Sequence, residues 1–313
     1  MKPRILQVGA LLPALEQTLN ERYDVLPLWR EADPAAYLAA HGAEFVGVAT
    51  SARYGADTAL INALPKLKVI SSFGVGFETI DIDLARERGI PVGYTPDVLN
   101  DCVADTAFGL VMDVARQFSA ADRFVRHGDW LKGTYPLATK ISGKRMGIMG
   151  LGRIGRVIAK RASGFDMEVR YHNRKPVADV DYAYVDSLKG LAEWADFLVI
   201  ASAGGAETRG LVSREILDAL GPDGLLVNVS RGQVLDEAAV IAALKSGTLG
   251  QAALDVFTHE PVDPADWAGV PNTVLTPHTA GATTEAVQGM LMLLLRNLAA
   301  VFAGEPLVTP VPE

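Results

Sequence analysis

One cysteine, Cys102, stands in a chain of 313 residues, so neither an intrachain disulfide nor a thiolate metal cluster can form. Such cysteine poverty suits a reducing compartment, and the expected location is the cytoplasm. Positive charge is also short: 29 Lys and Arg face 37 Asp and Glu, a formal net charge of −8. That balance gives no global basic field for nucleic acid or an anionic membrane, so neither is an expected partner. The long late apolar run, GMLMLLLRNLAAVFAG, is interrupted by Arg296 and Asn297 and is too short to span a bilayer. The opening MKPRILQVGALLPALEQ reads as a strand, Ile5 to Val8, and a short amphipathic helix, not as a secretion signal. Short-period repeats and low-complexity tracts are lacking. No group of His, Cys and carboxylates has metal-ligand spacing, so no metal is expected.

What is present is an ordinary globular balance, 49% hydrophobic and 21% charged, enough for a sizeable core. Length suggests about two domains. Short apolar runs alternate with helix-length segments: RILQV, FVGVA and KVISS first, then RMGIMG, MEVRY, DFLVIA, LLVNVS, QAALDVF and NTVLTPH. Such alternation signals parallel sheet with crossover helices, and two series imply two doubly wound α/β domains. Pro91 and Pro96 bracket the last strand of the first series, and Asp97 can cap a long helix from Val98 to Phe118. A second long helix, Thr284 to Phe302, follows the last strand and is expected to return to the first domain. The expected division is therefore residues 1–96 with 286–313 as a discontinuous, flavodoxin-like domain and 97–285 as a dinucleotide-binding one.

Gly150-Leu151-Gly152-Arg153-Ile154-Gly155 follows one strand directly and opens a helix, the context that gives G-x-G-x-x-G its meaning. Gly150 permits the tight turn, Gly152 the close approach of a pyrophosphate, and Gly155 the packing of helix on strand. A carboxylate at the end of the next strand would mark NAD. The chain instead reads His172-Asn173-Arg174-Lys175. Asn173 does not repel a 2′-phosphate, and Arg174 and Lys175 can pair with one, so NADPH is the expected cofactor and NADH the weaker.

Three polar residues sit at or just past later strand ends, where open parallel sheets bind ligands: Arg231, Glu260 and His278. Guanidinium holds a carboxylate in a planar fork, and imidazolium is an acid near neutral pH. A carboxylate touching that ring would orient it. This is the set that reduction of a 2-oxo acid requires. Earlier, Gly74-Val75-Gly76 follows KVISS, where a small anion could meet the backbone, although an ordinary turn would look the same. Phe77 and Leu99 read equally as apolar pocket walls or as core.

With SFGVGFETID, TPDVLNDCVADTAFGL, GLGRIG, NVSRGQVLDE, AALDVFTHEP and TPHTAGAT in this order, the chain resembles the D-isomer-specific 2-hydroxyacid dehydrogenases over nearly its whole length. The likeness is greatest to their glyoxylate/hydroxypyruvate reductases. The resemblance implies that Arg231, Glu260 and His278 are the catalytic set and that amides at Val75 and Gly76 hold the substrate carboxylate. It implies that Asp255 binds the nicotinamide carboxamide and that Val229, Ser230 and Gly281 line the cofactor. Ser202 lies where the family's chain passes the adenosine, although ASAGGAET lacks the proline-containing run common there. A homodimer is implied too, with Trp130 and Tyr135 in a stretch near the partner. The expected activity is NADPH-dependent reduction of glyoxylate or hydroxypyruvate to the 2-hydroxy acid. Bulkier 2-oxo acids such as hydroxyphenylpyruvate are an alternative, and a nucleotide-sensing corepressor-like role is a second.

Overall fold

The computed structural model describes residues 2–312. The chain divides into two compact units, one from Met1–Val98 and Thr284–Glu313, the other from Leu99–Thr283.

The first unit carries β1 (Arg4–Gln7), α1 (Pro13–Arg22), β2 (Asp24–Pro27), α2 (Pro34–His41), β3 (Gly47–Ser51), α3 (Thr58–Ala63), β4 (Val69–Phe73), α4 (Ile82–Glu87) and β5 (Val92–Gly93). Its sheet runs β2-β1-β3-β4-β5, parallel throughout. Successive strand residues face opposite sides, as the two-residue repeat of a strand demands. Ile5, Ala49 and Val69 pack on one side with Leu15, Leu19, Leu294, Leu295 and Leu298. Their neighbours Leu6, Val48 and Ile70 pack on the other with Phe45, Ile61 and Leu64. Burying both faces is why these strands read as continuous apolar runs. Each fully buried leucine contributes roughly 1.5–3 kcal/mol, so the three on the C-terminal helix fasten it firmly to this sheet. Asn297 within that helix is also buried, its amide donating to Tyr94 O at 3.2 Å and Thr309 Oγ1 at 2.9 Å. The polar break in the late apolar run is thus a hydrogen-bonded core contact.

The second unit begins with α5 (Asn100–Arg116) and α6 (Phe118–Arg126). It continues through β6 (Arg145–Met149), α7 (Arg153–Ala162), β7 (Glu168–His172), β8 (Ala183–Tyr184), α8 (Leu188–Trp194) and β9 (Phe197–Ile200). Then come α9 (Arg214–Leu220), β10 (Leu225–Asn228), α10 (Glu237–Ser246), β11 (Gln251–Leu254), α11 (Pro264–Trp267) and β12 (Thr273–Leu275). The sheet order is β12-β11-β10-β9-β6-β7-β8, again all parallel. Helix α12 (Thr284–Phe302) returns to the first unit.

Two local expectations differ from the structure, and one strand was not expected. The helix expected over Val98–Phe118 is α5, Asn100–Arg116; Gln117, in the left-handed region at φ 56°, ends it, and the unexpected α6 starts at Phe118. Asp113 holds that elbow by accepting the Ser119 amide at 2.8 Å. Asp97 does not occupy the cap: α5 starts at Asn100 behind Leu99, and Asp97 itself has φ 69°. Edge strand β2 was not legible, because DVLP carries a charge and a proline and is nowhere fully buried.

Candidate active site

The catalytic candidates are gathered at the C-terminal ends of β10, β11 and β12, adjacent in the sheet. Arg231 follows β10 after a turn organised by Asn228. That side chain is fully buried and accepts from Ser230 N at 3.0 Å and Ser230 Oγ at 2.8 Å, while donating to Arg231 O at 3.1 Å. Arg231 Nη1 donates to Ser230 O at 2.9 Å. The next residue is glycine for a steric reason: a Cβ on Gly232 would lie 1.9 Å from the Phe257 carbonyl carbon. Only this close approach brings the Arg231 turn against the loop bearing Glu260.

Glu260 Oε2 meets His278 Nδ1 at 2.6 Å, and its Oε1 accepts the Phe257 amide at 3.0 Å. Burial alone would raise the Glu260 pKa. The hydrogen bonds from His278 and Phe257, with the charges of His278 and Arg231, outweigh it and hold the carboxyl below its ordinary range. With Nδ1 engaged, Nε2 is the ring nitrogen left to act on a ligand.

His278 has φ 53°, a left-handed conformation in which histidine is commoner than most residues but still uncommon. Asp255 holds it there. Its carbonyl accepts the His278 amide at 2.8 Å. Its carboxylate accepts from Thr276 Oγ1 at 2.6 Å, Thr279 N at 2.9 Å and Ala280 N at 2.9 Å. Asp255 is fully buried, and its carboxylate braces the histidine turn.

The glycine loop follows β6. Gly150 has φ 100°, and a Cβ there would lie 2.5 Å from the Ser202 backbone; a Cβ on Gly155 would lie 2.1 Å from Gly150 O. Gly152 faces open space, with nothing within 4 Å of where a side chain would begin, and as the N-cap of α7 it has no side chain to offer the first turn. Room at Gly152 and a helix start beneath it suit a diphosphate. Leu151 is buried, and its amide is already taken by Asn173 Oδ1 at 2.7 Å, so Asn173 shapes the loop in addition to following β7. Arg174 and Lys175 are exposed, and Arg174 is ion-paired with Glu207. Ser202 Oγ is buried with no protein partner. Val229 and Ser230 are buried after β10, and a side chain on Gly281 would touch Leu99, itself buried. Leu99 therefore packs in the core of its unit.

In the first unit, Val75 and Gly76 follow β4. Thr95 Oγ1, fully buried, accepts the Gly74 amide at 2.8 Å and donates to Gly74 O at 2.9 Å, pinning that turn. Phe77 stacks edge-on against Tyr94 at 5.6 Å. Tyr135 OH donates to Gln117 Oε1 at 3.1 Å, whereas Trp130 is 67% exposed.

Asn228, Asp255 as a brace, Thr95 and Gly232 were not among the residues read as functional. A polar residue inside an apolar strand run, as in LLVNVS, was the available signal for Asn228.

Residues 108–280 match the family model of the D-isomer specific 2-hydroxyacid dehydrogenase, NAD binding domain. The chain is 42% identical over 307 residues to the glyoxylate/hydroxypyruvate reductase A HPR2 of Arabidopsis thaliana, covering 98% of each. It is equally 42% identical, with 98% of each covered, to the hydroxyphenylpyruvate reductase of Plectranthus scutellarioides. Among solved structures it is similar to the NADPH-dependent glyoxylate/hydroxypyruvate reductase of Sinorhizobium meliloti in complex with NADP and malonate. That similarity has a TM-score of 0.92 and 38% identity, covering 99% of this chain and 97% of that one.

Proposed function

The chain belongs to the D-isomer specific 2-hydroxyacid dehydrogenase family, and from that premise we propose that it reduces small 2-oxo acids such as glyoxylate and hydroxypyruvate with NADPH. The observation that carries this reading is the hydrogen bond between Glu260 and His278, at the strand ends where Arg231 also emerges.

The residues present fit a dinucleotide: open space at Gly152, the α7 start, and the cations Arg174 and Lys175 for a 2′-phosphate. When bound, the nicotinamide supplies hydride to the keto carbon. Arg231 binds the substrate carboxylate and polarises the keto oxygen, since guanidinium stays charged at any working pH. His278 holds a proton on Nε2 and delivers it to the keto oxygen, while Glu260 fixes the ring through Nδ1. Asp255 and Asn228 position the histidine and arginine turns.

A second reading keeps the chemistry and enlarges the substrate. The equal identity to a hydroxyphenylpyruvate reductase favours testing an aromatic 2-oxo acid beside the small ones. We also assign the exposed large apolar residues of the 118–137 stretch, Phe118, Val125, Trp130, Leu131 and Leu137, to a contact with a second copy of the chain. Sedimentation at equilibrium should give twice the monomer mass.

Steady-state reduction of glyoxylate, hydroxypyruvate and hydroxyphenylpyruvate, with NADPH and NADH in parallel, tests the function. Saturable turnover of the first two, at a higher kcat/KM with NADPH, is expected. Turnover of hydroxyphenylpyruvate alone would select the second reading, and turnover of none would refute both.

A further inference from the structure

The loops after β7 and β9 are joined by an ion pair that the reading above does not use. Arg174 Nη1 donates to Glu207 Oε2, across 33 residues of sequence. In the sheet, β7 and β9 flank β6, so the pair spans the two sides of the glycine loop. Each end is anchored. Asn173, just before Arg174, holds the Leu151 amide through its side chain and accepts from Tyr184 OH at 3.1 Å through its carbonyl. Thr208, just after Glu207, donates to Ala203 O at 3.0 Å and Gly205 O at 3.2 Å. The two charged side chains themselves are exposed, at 82% and 73%.

We propose that Glu207 sets cofactor specificity as a built-in competitor for Arg174, the cation assigned to the 2′-phosphate. This rests on the NADPH reading above. A phosphate monoester carries nearly two negative charges and three acceptor oxygens, against one charge and two oxygens on a carboxylate. It therefore displaces Glu207 from the guanidinium, whereas a bare 2′-hydroxyl has no charge with which to do so. That competition lowers the affinity for the phosphorylated cofactor and leaves the other untouched. Exposed ion pairs are weak, so the competitor reduces affinity by about two- to five-fold.

The test uses the adenosine end of the cofactor alone. 2′,5′-ADP and 5′-AMP are titrated calorimetrically into the wild type, Glu207→Gln, Arg174→Ala and the double variant. Glu207→Gln should bind 2′,5′-ADP about two- to five-fold more tightly and 5′-AMP unchanged, with no gain in the Arg174→Ala background. Unaltered or weaker 2′,5′-ADP binding by Glu207→Gln would overturn the proposal. So would equal tightening of 5′-AMP, or a gain that persists without Arg174. If the wild type binds 2′,5′-ADP no better than 5′-AMP and Arg174→Ala alters neither, the NADPH reading itself fails and takes the proposal with it.

Discussion

Glu260 and His278 lie 18 residues apart on the loops after β11 and β12, yet Oε2 and Nδ1 meet at 2.6 Å. The contact depends on two neighbours of the pair. The Phe257 amide fixes the second carboxylate oxygen, and the buried Asp255 carboxylate holds the left-handed turn that aims the histidine. Glu260→Gln exchanges a charge-assisted hydrogen bond for a neutral one, so kcat should fall roughly tenfold with the Kd for NADPH unchanged. Stopped-flow turnover beside cofactor titration measures both.

Acid stability should report the same carboxylate. Its pKa is lower in the folded chain than in the unfolded one, so its contribution to stability is present above the ordinary glutamate value, about 4.3, and is lost as pH falls through the folded value. Urea midpoints of wild type and Glu260→Gln should therefore converge as pH drops below about 4.3. A gap that stayed constant across that window would deny the shift.

Asn228 is fully buried and serves two donors and one acceptor. Asn228→Ala leaves the Ser230 amide and hydroxyl without their acceptor, at a cost of about 1–3 kcal/mol for each buried group left unsatisfied. Denaturant unfolding should show that loss. KM for the 2-oxo acid should rise in parallel, because the turn carries Arg231.

At Gly232 the constraint is steric. Gly232→Ala places a methyl against the Phe257 carbonyl, and relieving it must part the Arg231 turn from the Glu260 loop. Overpacking of this kind costs typically 1–3 kcal/mol. The variant should lose kcat/KM for the 2-oxo acid while the glycine loop after β6 still binds NADPH, a separation that titration and kinetics on one preparation can check.

Much of this was legible because doubly buried strands are written as unbroken apolar runs, and because G-x-G-x-x-G stood between strand and helix. The ends of those runs located Arg231 and His278. What stayed hidden depended on tertiary context. Strand β2 lies at an edge and tolerates Asp24 and Pro27, which erase the apolar signature. Gln117 breaks a helix without glycine or proline, through a carboxylate four residues earlier. Asp255 carried a visible signal, an acid at a strand end, but only the fold reveals that its carboxylate braces the Thr276–Ala280 turn. Glu207 could not be linked to Arg174 from spacing, since only the β9-β6-β7 order brings their loops together.

The most direct measurement is a comparison of His278→Ala with the wild type, reading NADPH Kd by titration and hydride transfer to hydroxypyruvate by stopped flow. The expected result is unchanged Kd with transfer slowed about 10²–10⁴-fold, the usual contribution of a positioned general acid. Near-wild-type transfer by His278→Ala would contradict the assignment of His278 as the proton donor.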